Sequence, residues 1–387
     1  MIKKVVFVGY QPLTEKVKKD FYFSELLDSN YEVAYWDLSS IYFPNVLEDT
    51  LHDEYIVKII DFHDLSAKLA DCQVEECLFL LNITYEYRVI RLFRLLTKFQ
   101  CNMSFFARGA LPISNRQITL KAKIIKGMNM PVLLNFIKNR YAGFLKKIGF
   151  IKAYDVVFSA GKYGYVTVGS GSDIEKKYSK IIEINSHDYD SYLDCLFNER
   201  LLDYQYCLFL DEYLPYHPDV KLLGMQTVEP EDYYASLNDF FDYIEHKFQL
   251  SVVIAPHPKA KMYKQMNPYN GREIIWGHTG ELAKNSAFVL AHNSTSQSYA
   301  VLNNKPIITV DCDSIKNRMP DYSYSIAYFS EQLNSQLINV NQYKEEAVTL
   351  KEVDSVVYLA YRYNYLTSAE SEHRKTSEIF IETLSNL

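Results

Sequence analysis

Residues 251–259 read SVVIAPHPK, an apolar run of strand length that ends in a histidine between two prolines. The run predicts a buried strand of a parallel sheet, and polar groups after such a strand lie at the edge where ligands bind in open α/β sheets. Pro256 and Pro258 restrict the backbone around His257, because a residue before proline is pushed out of the α region. We therefore expect the imidazole to donate to a phosphate oxygen or to act as an acid toward a leaving phosphate, with Pro258 and Lys259 lining the same site. The alternative is a structural histidine that caps a loop.

Residues 288–296 read FVLAHNSTS and repeat this design at the next apolar run. Here a strand feeds a helix whose first turn is crowded with hydroxyl groups, and the free N–H groups and the dipole at a helix start bind anions. The alternative is a capping box, in which Ser294 and Gln297 satisfy the helix start without a ligand. A cap uses one hydroxyl, whereas three follow one another here. The predicted phosphate-binding residues are His292, Asn293, Ser294, Thr295 and Ser296.

Two acidic residues, Asp211 and Glu212, follow a third apolar run at 206–210. Adjacent carboxylates at a strand end serve as a general base or hold an acceptor hydroxyl. Acids beside a phosphate are electrostatically unfavourable. We therefore expect Asp211 and Glu212 to face another part of a phosphate-bearing substrate, such as its sugar, or the acceptor molecule. The predicted catalytic residues are His257, Asp211 and Glu212. A turn into a helix at 275–282 further places Thr279 where it contacts the base or ribose of a nucleotide.

Short apolar runs alternate with helical patterns along the chain, which indicates parallel sheets. The runs lie at 5–8, 32–36, 77–82, 155–159, 206–210, 252–255, 288–291 and 306–310, and the helical patterns at 86–99, 231–248, 279–286 and 295–303. The alternation occurs twice, and 387 residues exceed what one core usually fills. We predict an α/β protein with two Rossmann-like parallel-sheet domains facing a central cleft. Their predicted ranges are 1–195 and 196–365, followed by a C-terminal helix at 366–387.

Two loops of the first domain carry candidate acceptor-binding residues. Gln11 lies in the stretch GYQP after the first strand, and Arg108 lies in ARGALP after a later one. A guanidinium in such a loop suits an acidic acceptor or donor. Neither loop has the GxGxxG dinucleotide fingerprint or the GxxxxGK[ST] phosphate loop, which argues against a Rossmann dehydrogenase or a P-loop enzyme.

Charge is distributed unevenly along the chain. The net charge is −7, yet residues 87–154 contain fourteen Lys or Arg and no Asp or Glu. The amphipathic stretch 131–151 lies within this basic segment, and we expect residues 116–152 to contact the inner membrane peripherally or to meet a lipid-linked acceptor. The alternative is an ordinary packed helix with a solvated face. Nucleic acid is not an expected partner, because the chain is acidic overall and has no recognisable nucleic-acid-binding module.

The start of the chain and its cysteines favour a cytoplasmic protein. MIKKVVFV has the pattern of a first strand and lacks the apolar core and cleavage site of a signal peptide. The six cysteines are scattered, as in a reduced cytosolic protein. No DxD pair sits where a metal site would need one, and no His/Cys cluster has metal-ligand spacing, so neither a metal ion nor another cofactor is expected.

An HP dipeptide followed by a Ser/Thr-rich strand-to-helix junction resembles the bacterial GT-B glycosyltransferases that use CMP-activated sugars. These are the sialyl-, polysialyl- and Kdo transferases of surface polysaccharide synthesis. His257-Pro258 matches the HP motif and Ser294-Thr295-Ser296 matches the Ser/Thr motif. The resemblance implies that the histidine and the hydroxyls hold the nucleotide phosphate. An acidic motif supplies the base in that family, and Asp211-Glu212-Tyr213 is similar to it, with tyrosine in place of glycine.

The resemblance implies a metal-independent glycosyltransferase that moves a sugar, a CMP-activated ulosonic or nonulosonic acid, to a bacterial surface glycan such as capsule or lipopolysaccharide. The implied partners are a nucleotide sugar and a glycan or lipid-linked glycan acceptor. The same two motifs occur in CDP-glycerol glycerophosphotransferases of teichoic-acid synthesis, which also expel CMP. The alternatives are therefore a CDP-glycerol-type phosphotransferase, a UDP- or GDP-sugar transferase of the same fold, a sugar-nucleotide 2-epimerase, and a non-catalytic glycan-binding subunit.

Overall fold

The computed structural model describes residues 1–44, 53–112, 130–218, 226–344 and 347–387. These residues form two compact units. The first unit holds Met1–Ala110, the described residues from 130 to His187, and Thr367–Leu387, and the second contains Asp188–Leu366. Residues 116–129 of the predicted membrane-contact segment lie outside the described residues.

The first unit is built on a parallel sheet. Its strands, as far as the chain is described, are β1 (Lys4–Gly9), β2 (Glu32–Asp37), β3 (Ile56–Lys58), β4 (Cys77–Leu81), β5 (Asn102–Ala107), β6 (Val156–Ala160) and β7 (Lys180–Ile184). They are hydrogen-bonded in the order β3-β2-β1-β4-β5-β6-β7, and every neighbouring pair is parallel. This is the strand order of a Rossmann-like sheet.

Helices cover both faces of this sheet. They are α1 (Glu15–Asp20), α2 (Phe23–Asp28), α3 (Ser39–Tyr42), α4 (Phe62–Asp71), α5 (Ile90–Lys98), α6 (Met130–Lys147) and α7 (Ser172–Tyr178). Along β1, Val5 and Phe7 join one buried cluster while Val6 and Val8 join another, because successive side chains of a strand point to opposite faces. None of the helices in the described ranges is long and apolar enough to cross a lipid bilayer.

The second unit has a smaller parallel sheet. Its strands are β8 (Tyr206–Leu210), β9 (Ser251–Ala255), β10 (Val289–Ala291), β11 (Ile307–Asp311) and β12 (Gln336–Asn339), in the order β12-β11-β10-β8-β9. The α-helices described in this unit are α8 (His187–Cys195), α9 (Pro230–Phe248), α10 (Thr279–Asn285), α11 (Gln297–Leu302), α12 (Asp313–Arg318), α13 (Pro320–Gln332) and α14 (Ser355–Tyr361). The prediction of two Rossmann-like parallel-sheet domains is confirmed.

The division between the units falls at His187, earlier than the predicted boundary after residue 195. The reason is that Tyr189, on α8, is buried in one apolar cluster with Tyr206 of β8. The C-terminal helix α15 (Thr376–Ser385) is part of the first unit and not a separate element. Its Phe380 packs against Phe106 and Phe158, with 5.1 Å between the ring centroids in each pair.

Candidate active site

The second sheet brings three of the predicted site segments to one edge. Strand β8 lies between β9 and β10, and Leu210 at its end pairs with Ala255 on one side and Ala291 on the other. The first residues beyond these three strand ends therefore lie side by side: Asp211, Pro256 and His292. The chain passes from β8 to β9 on one side and returns to β10 on the other. This edge is thus the topological switch point, where ligands bind in open α/β sheets.

Asp211 is buried at this edge, with 4% of its surface exposed. Its Oδ1 accepts hydrogen bonds from the Tyr269 hydroxyl at 2.7 Å and from the Tyr213 N–H at 3.1 Å. Oδ2 is buried and accepts no hydrogen bond of good geometry from the described residues, although the Tyr263 hydroxyl and the His257 N–H also favour the ionised carboxyl. Burial raises the pKa of the carboxyl to about 6, and the bond from Tyr269 limits that rise. Asp211 is therefore mostly ionised at neutral pH, and Oδ2 is the oxygen that a substrate proton could reach if the site opens around it.

Glu212 connects two neighbouring strand ends. Its Oε1 accepts the N–H of Asn293 at 2.8 Å, and its Oε2 accepts the hydroxyl of Tyr322. Burial raises the pKa of this carboxyl to about 7, and the bond from Tyr322 opposes the rise. Because both oxygens already hold donors, Glu212 is better suited to fix the turn after β10 than to take a proton from a substrate.

His257 follows the edge strand β9 and is partly exposed. Its Nδ1 accepts the N–H of Lys259 at 3.2 Å, so the neutral ring carries its proton on Nε2. The ring of His217 packs edge-on against it, with 4.7 Å between the ring centroids. The imidazole is therefore held in one orientation with a proton on Nε2. The side chains of Pro258 and Lys259 are exposed beside it.

The turn after β10 keeps its hydroxyl groups near solvent, with Thr295 exposed and Ser294 and Ser296 partly exposed. Ser294 Oγ accepts the N–H of Ser296 at 3.3 Å. The capping-box alternative is wrong, because the Gln297 amide donates to the His292 carbonyl at 3.2 Å and the Ser296 side chain makes no capping bond. Phosphate binding by this turn stays a prediction.

His292 is a core residue and not the phosphate ligand that the sequence predicted. Its side chain is fully buried, with Nδ1 2.7 Å from the Val310 carbonyl oxygen and Nε2 2.8 Å from the Tyr233 hydroxyl. A carbonyl only accepts hydrogen bonds, so Nδ1 carries the proton and Nε2 accepts from tyrosine. Burial lowers the pKa of His292, which keeps the ring neutral. The side chain thus joins β10, β11 and α9 and is closed to a ligand.

Thr279 is the first residue of α10 and is partly exposed. The predicted contact of Thr279 with the base or ribose of a nucleotide stays a prediction. Within the described ranges, no group of three or more His, Cys, Asp or Glu side chains is arranged to hold a metal ion.

The two acceptor-binding candidates of the first unit differ in their surroundings. Gln11 is exposed directly after β1, and its carbonyl oxygen accepts the Tyr35 hydroxyl at 2.7 Å. Arg108 donates to the Tyr22 hydroxyl at 2.8 Å and to the Asp20 carbonyl at 3.0 Å, and its guanidinium lies 4.3 Å from the ring centroid of Phe106. The prediction for Arg108 is therefore corrected, because the guanidinium joins β5 to the α1–α2 turn.

Three residues that shape the site escaped sequence reasoning. His217 had a usable signal, since His217-Pro218 repeats the dipeptide His257-Pro258. Tyr269 and Tyr322, which hold the two carboxylates, carry no distinguishing signal among 33 tyrosines. Their hydrogen bonds to Asp211 and Glu212 depend on the fold, which places both tyrosines beside the end of β8.

Known proteins resemble this chain in structure but not in sequence. No protein-family model matches the chain, and no curated protein matches its sequence significantly. A structure of the wall teichoic acid polymerase TagF has a TM-score of 0.52 at 12% identity, covering 99% of this chain and 89% of that chain. A variant of the same polymerase gives 0.50 at 12% identity, over 99% and 88%. UDP-GlcNAc 2-epimerase from Methanocaldococcus jannaschii gives 0.48 at 14% identity, over 100% of each chain.

The likeness to TagF concerns the fold. It extends over both parallel-sheet units, since the match covers 99% of this chain. The predicted fold class, a GT-B-type α/β protein, is confirmed.

Proposed function

We propose that this chain is a GT-B glycosyltransferase that breaks the bond between a sugar and a nucleotide phosphate at the carboxyl edge of its second sheet. The observation that carries the proposal is the convergence of a carboxylate, a histidine and a hydroxyl-rich turn at three adjacent strand ends. Each group meets one requirement of glycosyl transfer: the carboxylate is a base for the acceptor, and the histidine N–H and the hydroxyls are donors to the charge on the leaving group.

In the proposed reaction, an acceptor hydroxyl attacks the anomeric carbon as the bond from that carbon to the phosphate oxygen breaks. Asp211 takes the hydroxyl proton on Oδ2, the oxygen that accepts no hydrogen bond of good geometry from the described residues. His257 donates from Nε2 to the departing phosphate, and the hydroxyls at 294–296 bind its oxygens. Donors fixed where negative charge develops lower the barrier to that step, as a bound metal ion does in other enzymes.

The proposed donor is a CMP-activated sugar and the proposed acceptor a bacterial surface glycan. The support is the resemblance of His257-Pro258 and Ser294-Thr295-Ser296 to the motifs of CMP-sugar transferases. Pro258, Lys259 and Thr279 border the nucleotide in this proposal, and Gln11 remains the candidate acceptor contact of the first unit.

A second candidate function is transfer of glycerol phosphate from CDP-glycerol. It is favoured by the likeness in fold to a wall teichoic acid polymerase. In this reaction the acceptor hydroxyl attacks phosphorus instead of carbon, and CMP leaves in the same way. His257 and the 294–296 turn would serve the leaving phosphate in both reactions, so the two candidates differ in the transferred group.

A donor panel analysed by mass spectrometry separates these functions. The purified chain is incubated with CMP-sugars, CDP-glycerol, UDP-sugars or GDP-sugars, each with and without oligosaccharides of bacterial capsules and lipopolysaccharides. We expect CMP to be released from a CMP-sugar only when an acceptor is present, and the acceptor to gain the mass of one sugar. Consumption of CDP-glycerol would establish the second candidate instead. Conversion of a UDP-sugar without acceptor would identify an epimerase, and no turnover of any donor would indicate a non-catalytic subunit.

A further inference from the structure

Helix α6 and the residues that follow it present their large apolar side chains to solvent. Within the described chain, these side chains are 37% to 62% exposed: Leu133, Leu134, Phe136, Ile137, Tyr141, Phe144, Ile148 and Phe150. Exposed apolar side chains in so dense a group mark an interaction surface. The helix is packed on one side, through Ala142 and Leu145, but its other side is apolar where an ordinary packed helix has a polar, solvated face.

The side of α6 that packs on the first unit is held by a buried charge. Lys146 is fully buried and forms an ion pair with Glu175 of α7. Glu175 also accepts the Tyr154 N–H at 2.8 Å and the Ser179 hydroxyl at 2.6 Å, and the Lys146 ammonium lies 4.3 Å from the ring centroid of Tyr85. Breaking such a pair would leave a buried charge without a partner, so the helix is fixed in this rotation. The apolar side chains are thus held outward.

Basic groups lie among these apolar side chains. A hollow of about 600 Å³ beside the helix is lined by Arg140 and Lys147 together with Phe136, Phe144 and Ser170, and Asp173 is its acidic residue. Helix α6 itself contains four Lys or Arg and no Asp or Glu. The hollow therefore combines cationic donors with an apolar rim, which is the combination that a lipid phosphate headgroup requires.

We propose that α6 lies in the surface of an anionic lipid bilayer, with its apolar side chains at the acyl boundary and Arg140 and Lys147 on lipid phosphates. The charges favour a membrane over a second copy of the chain. A symmetric pair of copies would bring two basic faces together, and like charges across an interface cost affinity. The proposal depends on the first unit alone and holds whichever group the second unit transfers.

Vesicle co-sedimentation of the full chain tests this proposal. We expect the chain to bind vesicles of phosphatidylcholine with 30% phosphatidylglycerol and not vesicles of phosphatidylcholine alone. Because each basic residue near an anionic surface contributes about 1 kcal/mol, Arg140→Gln with Lys147→Gln should weaken binding about 10- to 30-fold. The triple variant Phe136→Ser, Ile137→Ser, Phe144→Ser should not bind, and since these side chains are already exposed, its far-UV circular dichroism should match that of the unaltered chain.

The matched control changes exposed apolar residues elsewhere. Val356 and Leu359 on α14 are 75% and 52% exposed, and Val356→Ser with Leu359→Ser should leave vesicle binding unchanged. Equal binding to neutral and anionic vesicles would overturn the proposal, as would full binding by the triple variant. Absence of binding, with a dimer in light scattering that the triple variant converts to a monomer, would assign the surface to a second copy instead.

Discussion

Replacement of His257 by alanine is expected to lower kcat for transfer by about 100- to 1000-fold, the loss seen when one donor to a developing charge is removed. The change removes the N–H that is proposed to face the leaving phosphate and leaves the buried residues before it, Ala255 and Pro256, in place. His257→Gln keeps an amide N–H donor. A glutamine variant that is faster than the alanine variant would show that the hydrogen bond from this position assists transfer, and one as slow as the alanine variant would show that the imidazole ring itself is required. The rates are measured as CMP release at saturating donor.

The control for His257 is His246, which is exposed near the end of α9 and has no role in the proposed reaction. His246→Ala should retain full activity. Wild-type turnover by His257→Ala would contradict the assignment of the site.

Asp211→Asn should reduce kcat by about 100- to 10,000-fold, because it removes the general base while keeping the shape of the side chain. The Tyr269 hydroxyl can still donate to the amide oxygen, so the fold is expected to persist. In the unaltered chain, kcat should rise with pH through about 6, the pKa to which burial raises this carboxyl, because the base must be ionised. The variant should lose this rise. Glu212→Gln should keep it, since Glu212 already holds Asn293 and Tyr322.

Asp211→Asn is expected to raise the stability of the fold although it lowers activity. The pKa of an aspartate is about 3.9 in an unfolded chain, whereas burial raises that of Asp211 to about 6. Because the folded carboxyl binds its proton more tightly, its ionisation costs folding free energy above pH 6, and this cost disappears below about pH 4. Asp211→Asn should therefore be roughly 2 kcal/mol more stable than the unaltered chain at pH 7.5 and equally stable near pH 4 in urea unfolding. A variant that is less stable at pH 7.5 would show that Asp211 is a structural residue.

The regular core of both sheets could be predicted from sequence, because buried parallel strands are continuous apolar runs. Less apolar strands escaped notice. Strand β7 begins with Lys180 and contains Glu183, so its apolar run is broken. The domain boundary was placed late for a related reason: α8 has the polar sequence of a linker, and one side chain, Tyr189, attaches it to the second unit.

His257 and His292 show where site prediction from sequence stops. Both follow an apolar strand, and both therefore received the same prediction. In the folded chain β9 is an edge strand, so the residue after it is partly exposed, whereas β10 lies between β8 and β11. Tyr233 of α9 then covers His292. The position of a strand within the sheet decided the outcome, and that position is not written in the local pattern.

Helix α6 shows a second reason why the local sequence does not determine the surface of the protein. Its amphipathic pattern was correctly associated with a basic segment, but a pattern does not say which side packs. The buried pair of Lys146 with Glu175 reverses the usual arrangement, since it turns a charge inward and apolar groups outward. Glu175 lies 29 residues further along the chain, and nothing in the local sequence of α6 announces it.

The central claim is that a nucleotide phosphate binds at the edge of the second sheet, and calorimetric titration of free nucleotides tests it most directly. CMP, UDP and GDP are titrated into the unaltered chain, into His257→Ala, and into the triple variant Ser294→Ala, Thr295→Ala, Ser296→Ala. We predict that CMP binds most tightly and that the triple variant binds it at least about tenfold more weakly, as the loss of one to two hydrogen bonds to a charged group entails. No binding of any nucleotide, or equal binding of CMP by the triple variant, would contradict the account.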